Sequence, residues 1–269
     1  MPMIDSQRVL PPMTRPVEER ALRILILGGA GEATALTQAL APRPDIETIL
    51  SLAGRTSAPV LPPGRHRIGG FGGVAGLADY LAREKIDALI DATHPFAAGI
   101  TANACAAAEI AGVPIARFTR PPWRIGAGDR WSEVAGNAAA AAALGQKPRR
   151  CFLTIGRLGV LDFAVAPQHF YLVRSIDDVA GLDALPLHHL VLARPPFSVQ
   201  AEIDLLRAHD IDVVVSKNSG GAAGAAKLAA ARGLGLPVIM IAQPAQGSAV
   251  QFHALAGVLA WIEAHRAAP

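Results

Sequence analysis

The sequence is poor in cysteine, in charged residues and in aromatic side chains, and these shortages exclude several classes of protein. Its two cysteines, Cys105 and Cys151, belong to no CxxC pair or Cys/His cluster, which argues against a disulfide framework and a structural zinc site. No apolar run approaches the ~20 residues needed to span a bilayer, and the N-terminus lacks the apolar core of a secretory signal. We therefore expect a soluble, cytoplasmic protein that contacts no membrane and holds no metal.

Basic residues are scattered along the chain rather than collected into runs, so the net charge of +3 indicates no nucleic-acid surface. This mild positive balance instead favours an anionic small molecule as the partner. Hydrophobic residues make up 51% of the 269 residues, which is enough to bury a large core divided between two domains.

Apolar strand-like runs alternate with alanine-rich helical stretches from Arg23 onward. This alternation predicts an α/β fold with two Rossmann-like domains, mainly parallel sheets and a cleft between them. Residues 1–22, which are rich in proline and show no periodicity, are expected to form a loosely attached tail. The alanine-rich stretch at 138–143 and the loop after it predict a first domain at 23–146 and a second at 147–269.

The stretch RILILGGAGEA, which begins at Arg23, has the form of a buried strand that turns tightly into a helix. Its glycines leave out side chains that would keep a ligand away from the backbone, and the helix aims its free N–H groups at the turn. We expect a phosphate here, although glycines also end many strands that bind no ligand. The predicted cofactor contacts in this turn are Gly28, Gly29, Ala30, Gly31, Glu32 and Ala33.

The end of the second predicted strand, at 48–53, bears on the choice of dinucleotide. An NAD enzyme places an acid here for the ribose hydroxyls, whereas an NADP enzyme needs a cation and hydroxyls for the 2′-phosphate. This chain has Ser51, Arg55 and Thr56 and no acid. The pattern favours NADPH over the alternative of a solvated arginine in a turn.

Two further motifs, GGFGG and DATHPFA, follow the third and fourth predicted strands. The glycines of the first cost about 0.5–1 kcal/mol each relative to alanine, which indicates close approach of a flat ligand or, alternatively, a flexible surface hairpin. The second ends the predicted strand 88–91, where ligands of doubly wound sheets bind. The expected cofactor contacts are Gly70, Phe71, Gly72, Gly73, Thr93, Pro95 and Phe96. His94 is a candidate proton donor: a lone histidine is more often structural, but one before proline at the carboxyl end of a strand is better placed than most.

In the second half of the chain, further strand-like runs end in cations and hydroxyl groups. Arg174 and Lys217 are two of these cations. KNSGG, with the helix after it, resembles the first glycine turn in plan. RPPW presents a guanidinium and an indole together, as a substrate-facing wall or as a rigid linker. The residues predicted to bind substrate, unless they are merely solvated loops, are Arg120, Trp123, Thr154, Arg157, Arg194, Ser198, Asn218, Ser219, Gly220 and Gly221.

Six motifs follow one another over residues 23–244, namely GGAGEA, SLAGRT, GGFGG, DATHPFA, RPPW and KNSGG. In this order and spacing they resemble the precorrin-6A reductase family of cobalamin biosynthesis. The chain departs from that family at Ala30 and Gly31, where threonine or serine is common, and around Arg194. The resemblance implies NADPH-dependent reduction of one carbon–carbon double bond of the tetrapyrrole precorrin-6A, which gives precorrin-6B.

The resemblance also explains a cationic cleft edge, because the macrocycle bears many carboxylates that accept charge-assisted hydrogen bonds. Lys217 and His94 are the candidate catalytic residues by their placement at the carboxyl ends of strands, with Lys217 first of all an anchor and solvent as another source of the proton. Contact with neighbouring pathway enzymes is a further hypothesis.

Three alternatives remain open at this point. One is a cobalt-containing substrate. Another is a different NADP-dependent oxidoreductase, although a Tyr-x-x-x-Lys pair fails because Lys85 lies one place too far from Tyr80. The third is a non-catalytic dinucleotide sensor.

Overall fold

The computed structural model describes residues 20–54, 61–62, 64–245 and 247–266, whose backbone forms two six-stranded sheets. Most of the predicted tail at 1–22 lies outside these residues, as do Arg55 and Thr56. Within the described part, no helix is both long enough and apolar enough to cross a membrane.

The first sheet has the strand order β3-β2-β1-β4-β5-β12, with every neighbouring pair parallel. Its strands are β1 (Leu22–Leu27), β2 (Ile46–Leu52), β3 (Arg65–Ile68), β4 (Ala88–Asp91), β5 (Ile115–Phe118) and β12 (Val250–Phe252). Its helices are α1 (Gly31–Leu40), α2 (Gly73–Arg83), α3 (Ala98–Ala111) and α7 (Leu255–Arg266). GGFGG connects β3 to α2 rather than to another strand, which excludes the surface hairpin considered for it.

The second sheet repeats this plan in the order β9-β8-β7-β10-β11-β6, again with parallel pairs throughout. Its strands are β6 (Trp131–Val134), β7 (Arg150–Thr154), β8 (Phe170–Ser175), β9 (His188–Leu192), β10 (Val213–Lys217) and β11 (Val238–Ile241). Its helices are α4 (Asn137–Ala143), α5 (Val199–Ala208) and α6 (Ala226–Gly233), with a 3₁₀ helix at Arg157–Val165.

Both sheets have the order 3-2-1-4-5-6 of doubly wound dinucleotide-binding folds, which confirms the predicted fold class. The strand in the sixth position of each sheet comes from the other half of the chain. β6 precedes the other strands of the second sheet and pairs there with β11, and β12 follows the second half but pairs with β5 of the first sheet. The predicted boundary at 146 is therefore wrong, since β6 and α4 precede it but pack in the second half, whereas β12 and α7 return to the first.

The central strands of each sheet are buried on both faces, which is why they read as continuous apolar runs. In β1, Ile24 and Ile26 point to the face covered by α1 and α7, while Leu25 and Leu27 point to the face covered by α2 and α3. The second sheet is covered in the same way, by α4 and the 3₁₀ helix on one face and by α5 and α6 on the other.

The strand order creates one switch point per sheet, between β1 and β4 and between β7 and β10. Helices on the two sides of such a point run to opposite faces of the sheet, which leaves a crevice outside the carboxyl ends of the strands. The predicted glycine turn lies at the first of these crevices, and KNSGG lies at the second. KNSGG follows β10, which corresponds to β4 rather than β1, so its resemblance to the first glycine turn does not extend to its position in the sheet.

Candidate active site

A cavity of about 920 Å³ lies at the switch point of the first sheet, near the upper end of the volumes of small-molecule sites. The turn after β1, the end of β2, the loop after β3 and the loop after β4 contribute its walls. Of the predicted site residues it brings together Gly28, Gly29, Ala30, Gly31, Ala33, Ser51, Gly70, Phe71, Gly72, Gly73, Thr93, His94 and Phe96, and it adds Arg194 from the second sheet.

The two leading glycines of the first turn have different roles. A Cβ on Gly28 would lie 2.8 Å from side-chain carbons of both Leu50 and Leu52, so this glycine is required by packing. Gly29 has φ +139°. A Cβ on Gly29 or on Gly31 would meet no atom within 4 Å. These two positions border open cavity, where a side chain would fill the space that a ligand needs.

Arg67, in β3, holds the glycine-rich loop in place. Its guanidinium donates to the carbonyls of Gly69 (3.0 Å) and Gly70 (2.9 Å) and to Oγ of Ser51 (2.9 Å), and it stacks 3.9 Å from the centroid of the Phe71 ring. The loop and the end of β2 are thereby tied to one cation. Sequence reasoning missed Arg67, although a cation two residues before a run of glycines is a signal that could have found it.

Asp91, the last residue of β4, organises the loop that carries His94. Its Oδ1 accepts hydrogen bonds from the Thr93 N–H (3.0 Å) and hydroxyl (2.6 Å), and its Oδ2 accepts one from the Thr101 hydroxyl (2.7 Å). Arg117, on β5, approaches the same carboxylate at 3.7 Å, and both charged side chains are 1% exposed. Sequence reasoning passed over Asp91, whose signal was an acid at the end of an otherwise apolar strand.

His94 is half-buried in this loop. Its Nδ1 accepts a hydrogen bond from the Phe96 N–H (3.2 Å), which places the proton of the neutral ring on Nε2. Burial, reinforced by the positive charges of Arg120, Lys217 and Lys227, lowers the pKa of His94 from 6.5 to about 4. At neutral pH the ring is therefore a neutral N–H donor in the protein without substrate.

A second cavity, of about 370 Å³, lies at the switch point of the second sheet and shares His94 and Phe96 with the first. Among the predicted substrate residues it contains Thr154, Arg157 and Ser219, together with the candidate catalytic Lys217. The two cavities therefore meet at the loop after β4.

Lys217 supplies a half-buried cation to this second cavity. Its ammonium lies 5.2 Å from the centroid of the Phe96 ring, and no carboxylate among the described residues comes within ion-pair distance of it. Burial lowers its pKa. Asp162 opposes this effect from a distance, but a half-buried cation without a direct ion pair is still costly, so the cavity favours an anionic ligand at this point.

Several residues predicted to bind substrate instead form hydrogen bonds and an ion pair between the two halves of the chain. The side chain of Asn218 bonds the main chain of Trp123, whose indole N–H donates to the Gly221 carbonyl (3.0 Å). Arg120 pairs with Glu32, which turns that acid away from its predicted cofactor role. The predicted wall of Arg120 and Trp123 is therefore a packed connection, and Gly220 lies against it as well.

One hydroxyl and one cation of the second half, Ser198 and Arg174, have structural partners. Ser198 caps α5, accepting a hydrogen bond from the Ala201 N–H (3.1 Å). Arg174 forms a buried ion pair with Glu202 beneath α5. Arg194 is 3.6 Å from Asp177 and remains at the cavity wall.

Pro95 lies in the loop after β4. No group of three metal-ligating side chains occurs in the described ranges.

Comparison with known proteins relates this geometry to a family. Residues 23–263 match the family model described as precorrin-6x reductase CbiJ/CobK. The chain is 52% identical over 247 residues to a precorrin-6A reductase of Rhodobacter capsulatus, covering 92% of this chain and 98% of the relative. It is 50% identical over 244 residues to one from Rhodococcus erythropolis, covering 89% and 97%. The solved structure of a CobK precorrin-6A reductase matches with a TM-score of 0.86 and 52% identity, covering 92% of this chain and 98% of the other.

Proposed function

Since the chain belongs to the precorrin-6x reductase family CbiJ/CobK and is a precorrin-6A reductase of cobalamin biosynthesis, we propose that it takes its hydride from NADPH held at the first sheet. The supporting observation is the pair of cavities that meet at the loop after β4. One is walled by glycines and the other by cations, as a dinucleotide and a polycarboxylate substrate require. The relatives described above are named for precorrin-6A, which favours the metal-free macrocycle.

The residues of the first cavity fit a dinucleotide. Gly29 and Gly31 border open space just before the N-terminus of α1, where backbone N–H groups and the helix dipole favour a pyrophosphate. The loop of Gly70 to Gly73 and the residues after β4 form the opposite wall. NADPH bound there would supply hydride, and the protein has to orient it toward the second cavity.

The preference for NADPH over NADH rests on the end of β2. Among the described residues of this region, Ser51 accepts a hydrogen bond from Arg67, and no acid is present for ribose hydroxyls. Arg55, outside the described residues, is the cation that we propose for the 2′-phosphate. Arg55→Ala should weaken NADPH binding about 10- to 100-fold, the loss of one charge-assisted contact, and leave NADH binding nearly unchanged. Equal losses for both would refute the assignment.

The second cavity is proposed to hold the macrocycle through its carboxylates. Lys217 and Arg157 supply positive charge, and Thr154 and Ser219 lie beside them. The Nε2–H of His94 is available to donate to a substrate carboxylate or to the cofactor carboxamide, because Nδ1 is occupied by Phe96. With the His94 pKa at about 4, we assign protonation of the acceptor to solvent or to Lys217 and give His94 an orienting role.

The decisive experiment mixes purified protein with NADPH and precorrin-6A and follows the loss of nicotinamide absorbance and the formation of precorrin-6B. Oxidation of NADPH that depends on the macrocycle supports the proposal. Turnover with NADH alone would overturn the cofactor assignment, and turnover only with the cobalt-containing macrocycle would overturn the substrate assignment. A cytoplasmic location and contact with neighbouring pathway enzymes remain predictions.

A further inference from the structure

We propose that Arg120 is a positioning residue that neutralises Glu32 beside the cofactor turn and simultaneously fixes Ser219 in the substrate cavity. The inference deepens the proposed function and rests on NADPH binding at the turn of Gly28 to Gly31. It assigns one side chain to both halves of the site, a role that differs from the direct substrate contact predicted from the RPPW motif.

Arg120 follows β5, where the chain leaves the first sheet for the second. Its Nη1 lies 3.1 Å from Oε2 of Glu32 and 3.3 Å from Oε1, and its Nε donates to the Ser219 carbonyl at 2.7 Å. The Arg120 side chain is 23% exposed and that of Glu32 is 17% exposed. A single guanidinium thus bridges α1 and the segment that follows β10.

The packing around Arg120 leaves its side chain little freedom. A Cβ on Gly221 would lie 2.7 Å from the Arg120 Cδ, and one on Gly220 would collide with the carbonyl of Pro121. Asn218 fixes the main chain of Trp123, accepting from its N–H at 2.7 Å and donating to its carbonyl at 3.1 Å. The glycines of KNSGG therefore admit the arginine stem, which explains why this motif and RPPW belong together.

Electrostatics gives this bridge a consequence for the cofactor. Glu32 lies in the first turn of α1, the turn whose N–H groups are proposed to face the pyrophosphate. A carboxylate there is favourable to the helix dipole but repels a bound phosphate. The Arg120 guanidinium cancels that charge, so the helix end can accept a second anion. Without Arg120, the uncompensated Glu32 should raise the Kd for NADPH roughly tenfold.

The test measures NADPH affinity by calorimetry and the KM for precorrin-6A in a double-mutant cycle. Arg120→Met retains an aliphatic stem against Gly221 and removes the charge, and we expect it to weaken NADPH binding roughly tenfold and to raise KM. Glu32→Gln alone should bind NADPH at least as tightly as wild type, because the charge of Arg120 is then left uncompensated beside the phosphate. The double variant should recover NADPH affinity while its KM stays raised, because the hold on Ser219 is still missing.

Other outcomes separate this inference from the function on which it rests. If wild-type protein binds no NADPH, the proposed function fails. If wild type binds and the double variant is as weak as Arg120→Met, or if Arg120→Met binds normally, the inference is overturned.

Two further variants complete the design. Should Arg120→Met not fold, Arg120→Lys carries the test: it should keep NADPH affinity and raise KM, and a large loss of affinity would contradict the charge argument. Glu47→Gln is the matched control, because it removes a carboxylate paired with Arg23 and Arg65 at the amino end of β2, opposite the strand ends that form the cavity. It should leave NADPH affinity unchanged.

Discussion

The lowered pKa of His94 predicts a specific loss of stability in acid. The half-buried ring lies near three cations, and its Nδ1 accepts the Phe96 N–H. A second proton would have to displace that hydrogen bond and add charge to a cationic surrounding. The unfolded chain has neither constraint, so it binds the proton more readily than the folded protein.

The size of the effect follows from the two pKa values. The folded pKa is about 4 and the unfolded value is 6.5. Above the unfolded value both states are neutral at His94, and the residue contributes no pH dependence. As the pH falls from that value toward about 4, the unfolded state holds more protons and is favoured. Between about pH 7 and about pH 5 this difference lowers the free energy of unfolding by about 2 kcal/mol.

The assay is urea unfolding at the two pH values for wild type and for His94→Asn, whose amide oxygen is able to accept the Phe96 N–H. We expect the stability lost on acidification to be about 2 kcal/mol smaller in the variant. His66→Asn, at an exposed histidine on β3, controls for the loss of a histidine elsewhere. An equal loss in wild type and His94→Asn would refute the reasoning and return His94 to the group of candidate acids.

Three other predictions test the site residue by residue. Gly29→Val should abolish NADPH binding in calorimetry while the far-ultraviolet circular dichroism spectrum persists; retained binding would show that the open position beside α1 is not used. Lys217→Ala should raise the KM for precorrin-6A about 10- to 100-fold with a smaller change in kcat, and an unchanged KM would remove Lys217 from the site. Thr93→Val loses the 2.6 Å hydrogen bond to buried Asp91 and should lower the free energy of unfolding by about 1–3 kcal/mol, whereas Thr93→Ser should retain most of it; equal losses would show that the hydroxyl is not what matters.

Much of this protein follows from the sequence alone, because its signals are local. Buried parallel strands require continuous apolar runs, so the predicted strand 88–91 coincides with β4. The glycines after β1 and β3 mark backbone that must approach a ligand or a neighbouring strand closely. Such requirements act within a few residues, which is why the motifs, and through them the family, can be recognised from the sequence.

Only the tertiary structure decided which half of the chain each edge strand joins and what several polar side chains do. The strands β6 and β12 have four and three residues, too few to carry a pattern that names a partner, and their pairing depends on where the chain crosses between sheets. Arg120 reads in sequence as a cation offered to a substrate. It becomes a bridge to Glu32 because residues 88 positions apart meet there, and the charge that a side chain faces depends on such distant neighbours.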